Sequence, residues 1–154
     1  MSLVFRRMTL DDVPAVHEID RLSFSLPWPE RSFRFEVSDN PVSRGWVAEL
    51  DGRIVAMLIL WLTIDEAHIA TIATHPDFRK RGIGEGLMVA ALLSARAEGG
   101  KIAFLEVRAS NLAAQNLYRK YGFVVTGRRP RYYRDNNEDA VLMTLESLDG
   151  LEVQ

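Results

Sequence analysis

At 154 residues, with 47% hydrophobic and 26% charged side chains, the chain has the size and make-up of one core-forming domain, expected to span 1–154. Its 19 Lys and Arg against 21 Asp and Glu argue against a dedicated nucleic-acid binder, and the lack of cysteine excludes disulfides, zinc–thiolate sites and cysteine nucleophiles. No apolar stretch approaches ~20 residues and MSLVFRRMTLDD has no secretory h-region, so neither a membrane span nor a leader is expected, and the cytoplasm is the expected compartment.

LVFRRM reads as a first strand. TLDDVPAVHEIDRLSF opens on Thr9, an N-cap candidate, and keeps Val13, Val16 and Ile19 near helical spacing. LPWPERSFRFEV reads as a kinked connection into a second short helix, with Pro29 in its first turn. RGWVAEL and IVAMLILWL flank Asp51-Gly52, a type I′ hairpin signal. DEAHIATIATHP is a further strand, stopped by Pro76. From about Arg81 to Glu98 the pattern is a long helix, ended by Gly99-Gly100. KIAFLEVRA reads as a strand, NLAAQNLYRKYGF as a helix closed by Gly122, and VVTGRRPRYY with EDAVLMTLE as a final strand pair. The order β-α-α-β-β-β-α-β-α-β-β predicts an α/β (α+β) fold, a mixed, mostly antiparallel sheet of about seven strands flanked by about four helices.

HPDFRKRGIGEGL concentrates cations and glycines where a strand hands over to that long helix. The first N–H groups of a helix lack intrahelical acceptors and its dipole favours an anion there. Gly82 and Gly84 let phosphate oxygens approach bare backbone, and Arg79, Lys80 and Arg81 add charge. A P-loop would place Lys-Ser/Thr after the last glycine, but Glu85 follows Gly84, and Leu87 stands where a dinucleotide fingerprint needs its third glycine. A solvated basic turn with capping glycines is the plain alternative.

R-x-x-G-x-G at Arg79–Gly84 resembles the acetyl-CoA signature of the GNAT N-acetyltransferase superfamily. LEVRASNLAAQNLYRKYGF, LPWPERSF and RRPRYYRDNNEDAVLM resemble segments of its RimI-type members, which acetylate protein N-terminal α-amines. The resemblance runs through nearly the whole chain. Thr74 and Arg131 depart from it, standing where an apolar residue and an asparagine are usual. It implies acetyl-CoA as co-substrate, held by Ile72, Ala73 and Thr74 at a splayed strand end, by Arg79, Lys80, Arg81, Gly82, Ile83, Gly84 and Glu85 at the helix start, and by Asn111.

Attack of an amine on the thioester needs a base and an acid. Glu106 shares a strand face with Ile102 and Phe104, so it is either a desolvated base or one half of an ion pair with an Arg. Tyr118 shares a helical face with Ala114 and Tyr121, which alone suggests a core aromatic. The resemblance makes Glu106 the base and Tyr118 the acid that protonates the leaving thiolate. Asn111 is also a helix-cap candidate, and His68 is either a structural histidine or an alternative base. Trp28, Tyr132 and Tyr133 are the expected acceptor-pocket aromatics; otherwise Trp28 plugs the core and the tyrosines pair across a strand. His17, His68 and His75 lack metal-site spacing, so no metal is expected.

The implied partner is a protein or peptide N-terminus, a ribosomal protein favoured, with no direct nucleic-acid or membrane binding and a monomer or weak dimer as the active form. A small-molecule amine or lysine side chain is the alternative acceptor, and a non-catalytic acetyl-CoA-binding module the alternative role.

Overall fold

The computed structural model describes residues 2–151, so Met1 and 152–154 of the expected domain lie outside the described residues. Strands β1 (Leu3–Arg7), β2 (Ser43–Leu50), β3 (Arg53–Thr63), β4 (Glu66–Thr74), β5 (Ile102–Arg108), β6 (Val124–Tyr133) and β7 (Glu138–Leu145) form one sheet in the order β1-β2-β3-β4-β5-β7-β6. Helices α1 (Val13–Ser23), α2 (Glu30–Ser38), α3 (Ile83–Ala97) and α4 (Leu112–Lys120) cover it. Every neighbouring pair is antiparallel except β4–β5, whose parallel pairing needs a long crossover, and α3 supplies it. The expected element order and mixed sheet are those observed.

Local signals explain most boundaries. Asp51 and Gly52 both take positive φ, 50° and 85°, as a type I′ turn demands, and they join β2 to β3. Gly99 at φ 101° and Gly122 at φ 99° follow α3 and α4 in the left-handed conformation. Thr9 opens a single 3-10 turn at Leu10–Asp12 that runs into α1, with the Asp12 carboxylate accepting the Thr9 N–H at 2.8 Å. Two boundaries differ from expectation. Pro29 is the N-cap of α2, in extended backbone, rather than a first-turn residue. The long helix begins at Ile83 rather than Arg81, because Lys80 (φ 64°) and Gly82 (φ 77°) turn the chain twice before it can coil.

The central strand β3 is buried on both faces. Leu58 and Leu60 of β3 pack with Leu87 and Leu92 of α3, while Met57 and Ile59 pack with Val16 and Ile19 of α1 and Phe33 of α2. That explains the unbroken apolar run IVAMLILWL, since a central strand covered on both sides has no solvent face. Among the described residues, no helix is long and apolar enough to cross a membrane.

Phe33 is fully buried and lies against the Trp28 ring, centroids 5.2 Å apart, so it fastens α2 and its preceding loop to the sheet. Phe33→Ala should lower stability by about 3–5 kcal/mol, read as a reduced urea midpoint at unchanged m value. An unshifted midpoint would mean that α2 contributes no core.

Candidate active site

The β4–β5 ladder is short. It runs from Glu66↔Ile102 to Ile69↔Leu105 and stops, while β4 continues along β3 to Thr74 and β5 along β7 to Arg108. At the same place β4 slips register against β3: Leu60 faces Ile69 but Ile59 faces Thr71, leaving Ala70 as a bulged extra residue. The bulge resets the side-chain alternation, so Ile69 and Ile72, three residues apart, both pack into the α3 layer. Past Ile69, the β5-facing backbone groups of β4 have no strand partner among the described residues. The splay that the sequence could not display is therefore present.

A cleft of about 530 Å³ opens into this gap, and Trp28, His68, Ile72, Glu106, Asn111, Tyr118, Tyr132 and Tyr133 all line it. Glu106 is 9% exposed and lies 2.9 and 3.0 Å, through its two oxygens, from Nε2 of His68. The expected alternative, an ion pair with an arginine, is not what forms. Arg108, two residues along the same face, turns instead to Asp135 at 2.9 Å and Glu138 at 3.4 Å. Tyr118 is 8% exposed, packs on Phe123 with centroids 5.8 Å apart, and is pushed up to about 12 by burial. It is thus both a core aromatic and a cleft residue. Asn111 caps α4, its Oδ1 accepting the Ala114 N–H at 3.1 Å, and faces the cleft as well.

The helix start holds the remaining candidates. Ile83 is buried and pins the first turn of α3 to the core, leaving the N–H groups of Ile83, Gly84 and Glu85 ahead of the first helical bond, Gly86 N–H to Gly82 carbonyl at 3.0 Å. Gly84 has a steric reason to be glycine, since a Cβ there would lie 2.8 Å from Thr74 Oγ1. The side chains are less uniform than their charges suggest. Arg79 donates to the Thr74 carbonyl at 2.9 Å and to Ser23 Oγ at 3.1 Å, tying the end of β4 to the end of α1. Arg81 and Arg53 both lie over the Phe78 ring, at 5.2 and 5.0 Å. Lys80 is exposed. Glu85 pairs with Lys120 at 2.7 Å and accepts from the Tyr121 hydroxyl, and these two partners hold its carboxyl below the usual range. Ala73 is buried in the α1–α2 layer, so only its backbone is available to a ligand.

Two loops meet over the cleft. The Trp28 N–H donates to the buried Asp20 carboxylate at 2.7 Å, and burial raises Asp20 against that bond. Ser25 donates to Asp135, which also takes the Arg108 guanidinium, while Glu138 accepts the Ser110 N–H at 2.7 Å. Asp135 is held low by Ser25 and then Arg108, and Glu138 by Ser110 and then Arg108. Arg108 also lies 4.0 Å over the Tyr133 ring. Tyr133, pushed up to about 12 chiefly by burial, meets Tyr132 edge to face at 5.1 Å rather than pairing with it across a strand. Arg131, where the resemblance expects asparagine, sits at φ 53°, a conformation asparagine tolerates better than arginine. Sequence reasoning missed Asp20, Arg108, Asp135 and Glu138. Only Arg108 carried a signal, since it shares the Glu106 strand face two positions on.

Residues 13–123 match the model of the Acetyltransferase (GNAT) family. The chain belongs to that family. It is an acyltransferase that uses acetyl-CoA as acetyl donor. It is 39% identical over 138 residues, 90% of its own length and 91% of the relative's, to a Bacillus subtilis protein provisionally named a ribosomal protein bS18-alanine N-acetyltransferase. It is 32% identical over 136 residues, 87% and 90% of the two chains, to the Escherichia coli ribosomal protein bS18-alanine N-acetyltransferase. The crystal structure of the ribosomal-protein-S18-alanine N-acetyltransferase from Escherichia coli superposes with a TM-score of 0.87 at 30% identity, covering 94% of this chain and 93% of that one. The residues fit the donor: a GNAT member needs a strand edge without a partner and helix amides without side chains in the way, and the open edge of β4 and the Gly82–Gly84 turn supply both.

The loop-to-loop strap is exposed, so its worth is local. Asp135→Ala should speed amide hydrogen exchange in residues 24–29 and in the β6–β7 turn, while leaving the global urea midpoint in place. Unaltered exchange in both loops would show that Ser25, Asp135 and Arg108 do not hold them together.

Proposed function

We propose that this protein acetylates the α-amine of protein N-termini, with ribosomal protein bS18 the favoured acceptor, by direct attack in a ternary complex. The observation that carries the mechanism is that Glu106 and Tyr118 open onto one cleft beside the unpartnered edge of β4. The choice of acceptor rests on the relatives, named for alanine N-acetylation of that ribosomal protein. A ribosomal substrate makes the cytoplasm the proposed location, and a single domain over 1–154, acting as a monomer or weak dimer, is the proposed working unit.

The amides at Ile83–Glu85, with Lys80 and Arg81, are the proposed pyrophosphate site. Arg79 contributes by fastening the loop rather than by reaching outward, and the backbone of Ile72, Ala73 and Thr74 with Asn111 takes the pantetheine arm. When bound, acetyl-CoA supplies an activated thioester. Glu106 receives the proton of the attacking amine. An α-amine has a pKa near 8, against more than 10 for lysine, so a useful fraction is already free base near neutrality and the carboxylate need only take the proton released on attack. Backbone N–H groups of β4 past the split donate to the developing oxyanion. Tyr118, raised to about 12, keeps its proton through the working range and gives it to the departing thiolate. With no cysteine and no GxSxG elbow, no acyl-enzyme is formed. Trp28, Tyr132 and Tyr133 form the wall against which the acceptor's first side chain rests.

Three measurements test this. Peptides differing in their first residues should gain acetyl on the α-amine by mass spectrometry; turnover of polyamines, aminoglycosides or free amino acids but not peptides would reassign the acceptor. Tyr118→Phe should lower kcat by about 10²-fold or more while acetyl-CoA binding by titration calorimetry stays within about twofold, and unchanged turnover would return Tyr118 to a packing role. Glu106→Gln should abolish the acidic limb of the pH–rate profile; an intact limb would implicate a different base.

A further inference from the structure

We propose that His68 is a positioning residue for Glu106: its Nε2–H holds the carboxylate in one orientation. The proposal rests on the reading of Glu106 as the base and adds a second residue to it.

The geometry is built by the parallel register. His68 is the Cα partner of Phe104 across β4–β5, and the two rings stack at 4.4 Å with planes 9° apart. Glu106 is the next residue on that face of β5, so His68 reaches it along the diagonal. Trp61 of β3 closes the other side of the imidazole, edge to face at 5.4 Å, and is itself held by its Nε1–H donating to the buried Glu36 carboxylate of α2. The ring is therefore clamped between two aromatics, with Nε2 aimed at both Glu106 oxygens, at 2.9 and 3.0 Å.

An ionised carboxylate offers only lone pairs, so Nε2 must carry the proton in this contact. The donation matters because the Glu106 side chain is only 9% exposed, so its orientation is set by the donor it is given and not by solvent. Among the described residues, no other charged side chain of the cleft, the exposed Arg134 included, forms a hydrogen bond or ion pair with Glu106. Arg108 is taken by Asp135 and Glu138, Asp20 accepts the Trp28 N–H, and Tyr132 and Tyr133 are themselves raised in part by the Glu106 charge. His68 is the side-chain donor that the described residues offer Glu106. It touches no substrate atom in this scheme and acts only through the carboxylate.

The test compares kcat and KM for acetylation of an N-terminal peptide by the full chain and its variants. His68→Phe keeps a ring on Phe104 but removes the N–H. It should lower kcat by about fivefold while KM for the peptide and acetyl-CoA binding stay within about twofold. His68→Gln retains a donor and should restore most of that kcat. An unchanged kcat in His68→Phe, or an equal loss in both variants, overturns the role. If Glu106→Gln itself leaves kcat unchanged, Glu106 is not the base and the proposal falls with that reading. That outcome is distinct from a Glu106-dependent kcat that ignores His68. Nitrogen-15 NMR of the unaltered protein gives a check that needs no variant to fold: Nε2 should carry a proton, and an unprotonated Nε2 would overturn the donation.

Discussion

A parallel pair of strands that parts company after only a few residues is the constraint on which the site depends. If the β4–β5 ladder continued past Ile69 and Leu105, the backbone groups of Thr71 to Thr74 would be spent on β5, and no cleft would lie between β4 and α4. The parting is not a loosening of the sheet. β4 stays paired to β3 as far as Thr74, and β5 stays paired to β7 as far as Arg108. Each arm is thus held by an antiparallel neighbour while the edges facing one another go free. The Ala70 bulge adds twist at the fork and resets which side chains face α3. Those backbone groups border an open cleft, where a hydrogen-bonding ligand can take the place of water. A GNAT enzyme has such a ligand in its acetyl donor.

Charges around the cleft are sorted by partner. Arg108 lies two residues from Glu106 on one strand face, near enough in pattern to neutralise it, yet the β6–β7 turn draws the guanidinium away with two carboxylates. A guanidinium stays charged at any working pH. Paired with Glu106 it would hold that carboxylate as a spectator, too weak a base to take a proton from an amine. Giving Arg108 to Asp135 and Glu138 leaves Glu106 to the His68 imidazole, and ties the loops over the cleft with the same bonds. Placement of one arginine therefore joins the loops at the entrance of the cleft and leaves the carboxylate at its floor without a permanent cation.

The parts of this arrangement that depend on nearby residues were legible. Asp51-Gly52 declares its turn because positive φ is a property of the residues themselves, and the glycines at 82, 99 and 122 mark helix ends for the same reason. The face shared by Phe104 and Glu106 follows from strand alternation alone. What was not legible depends on register between distant segments. Nothing local says that His68 stands opposite Phe104, or that Asp135 meets Ser25, because those pairings are fixed by α3 and the β6–β7 turn returning the chain to a particular place. The late start of α3 was hidden for a related reason: a left-handed lysine at position 80 is allowed only because the surrounding turn imposes it.

Several residues looked ambiguous from the sequence because they do two things at once. Trp28 packs on Phe33 and lines the cleft; Tyr118 sits on Phe123 with its ring in the core and still borders the site; Asn111 caps α4 and faces the same space. In a small domain with a cleft cut into its core, packing and cleft-lining coincide in the same side chains. That coincidence has a physical use. The proposed acid must stay protonated, and the burial that packs Tyr118 also raises it to about 12. A side chain locked by packing also loses little orientational freedom when it acts. The same logic limits how the enzyme can change: Trp28 or Tyr118 cannot be altered for a new acceptor without disturbing the layer beneath, whereas Arg131 and Arg134 on the exposed β6–β7 segment can. Divergence in acceptor choice should therefore concentrate in that hairpin and not in the aromatic floor.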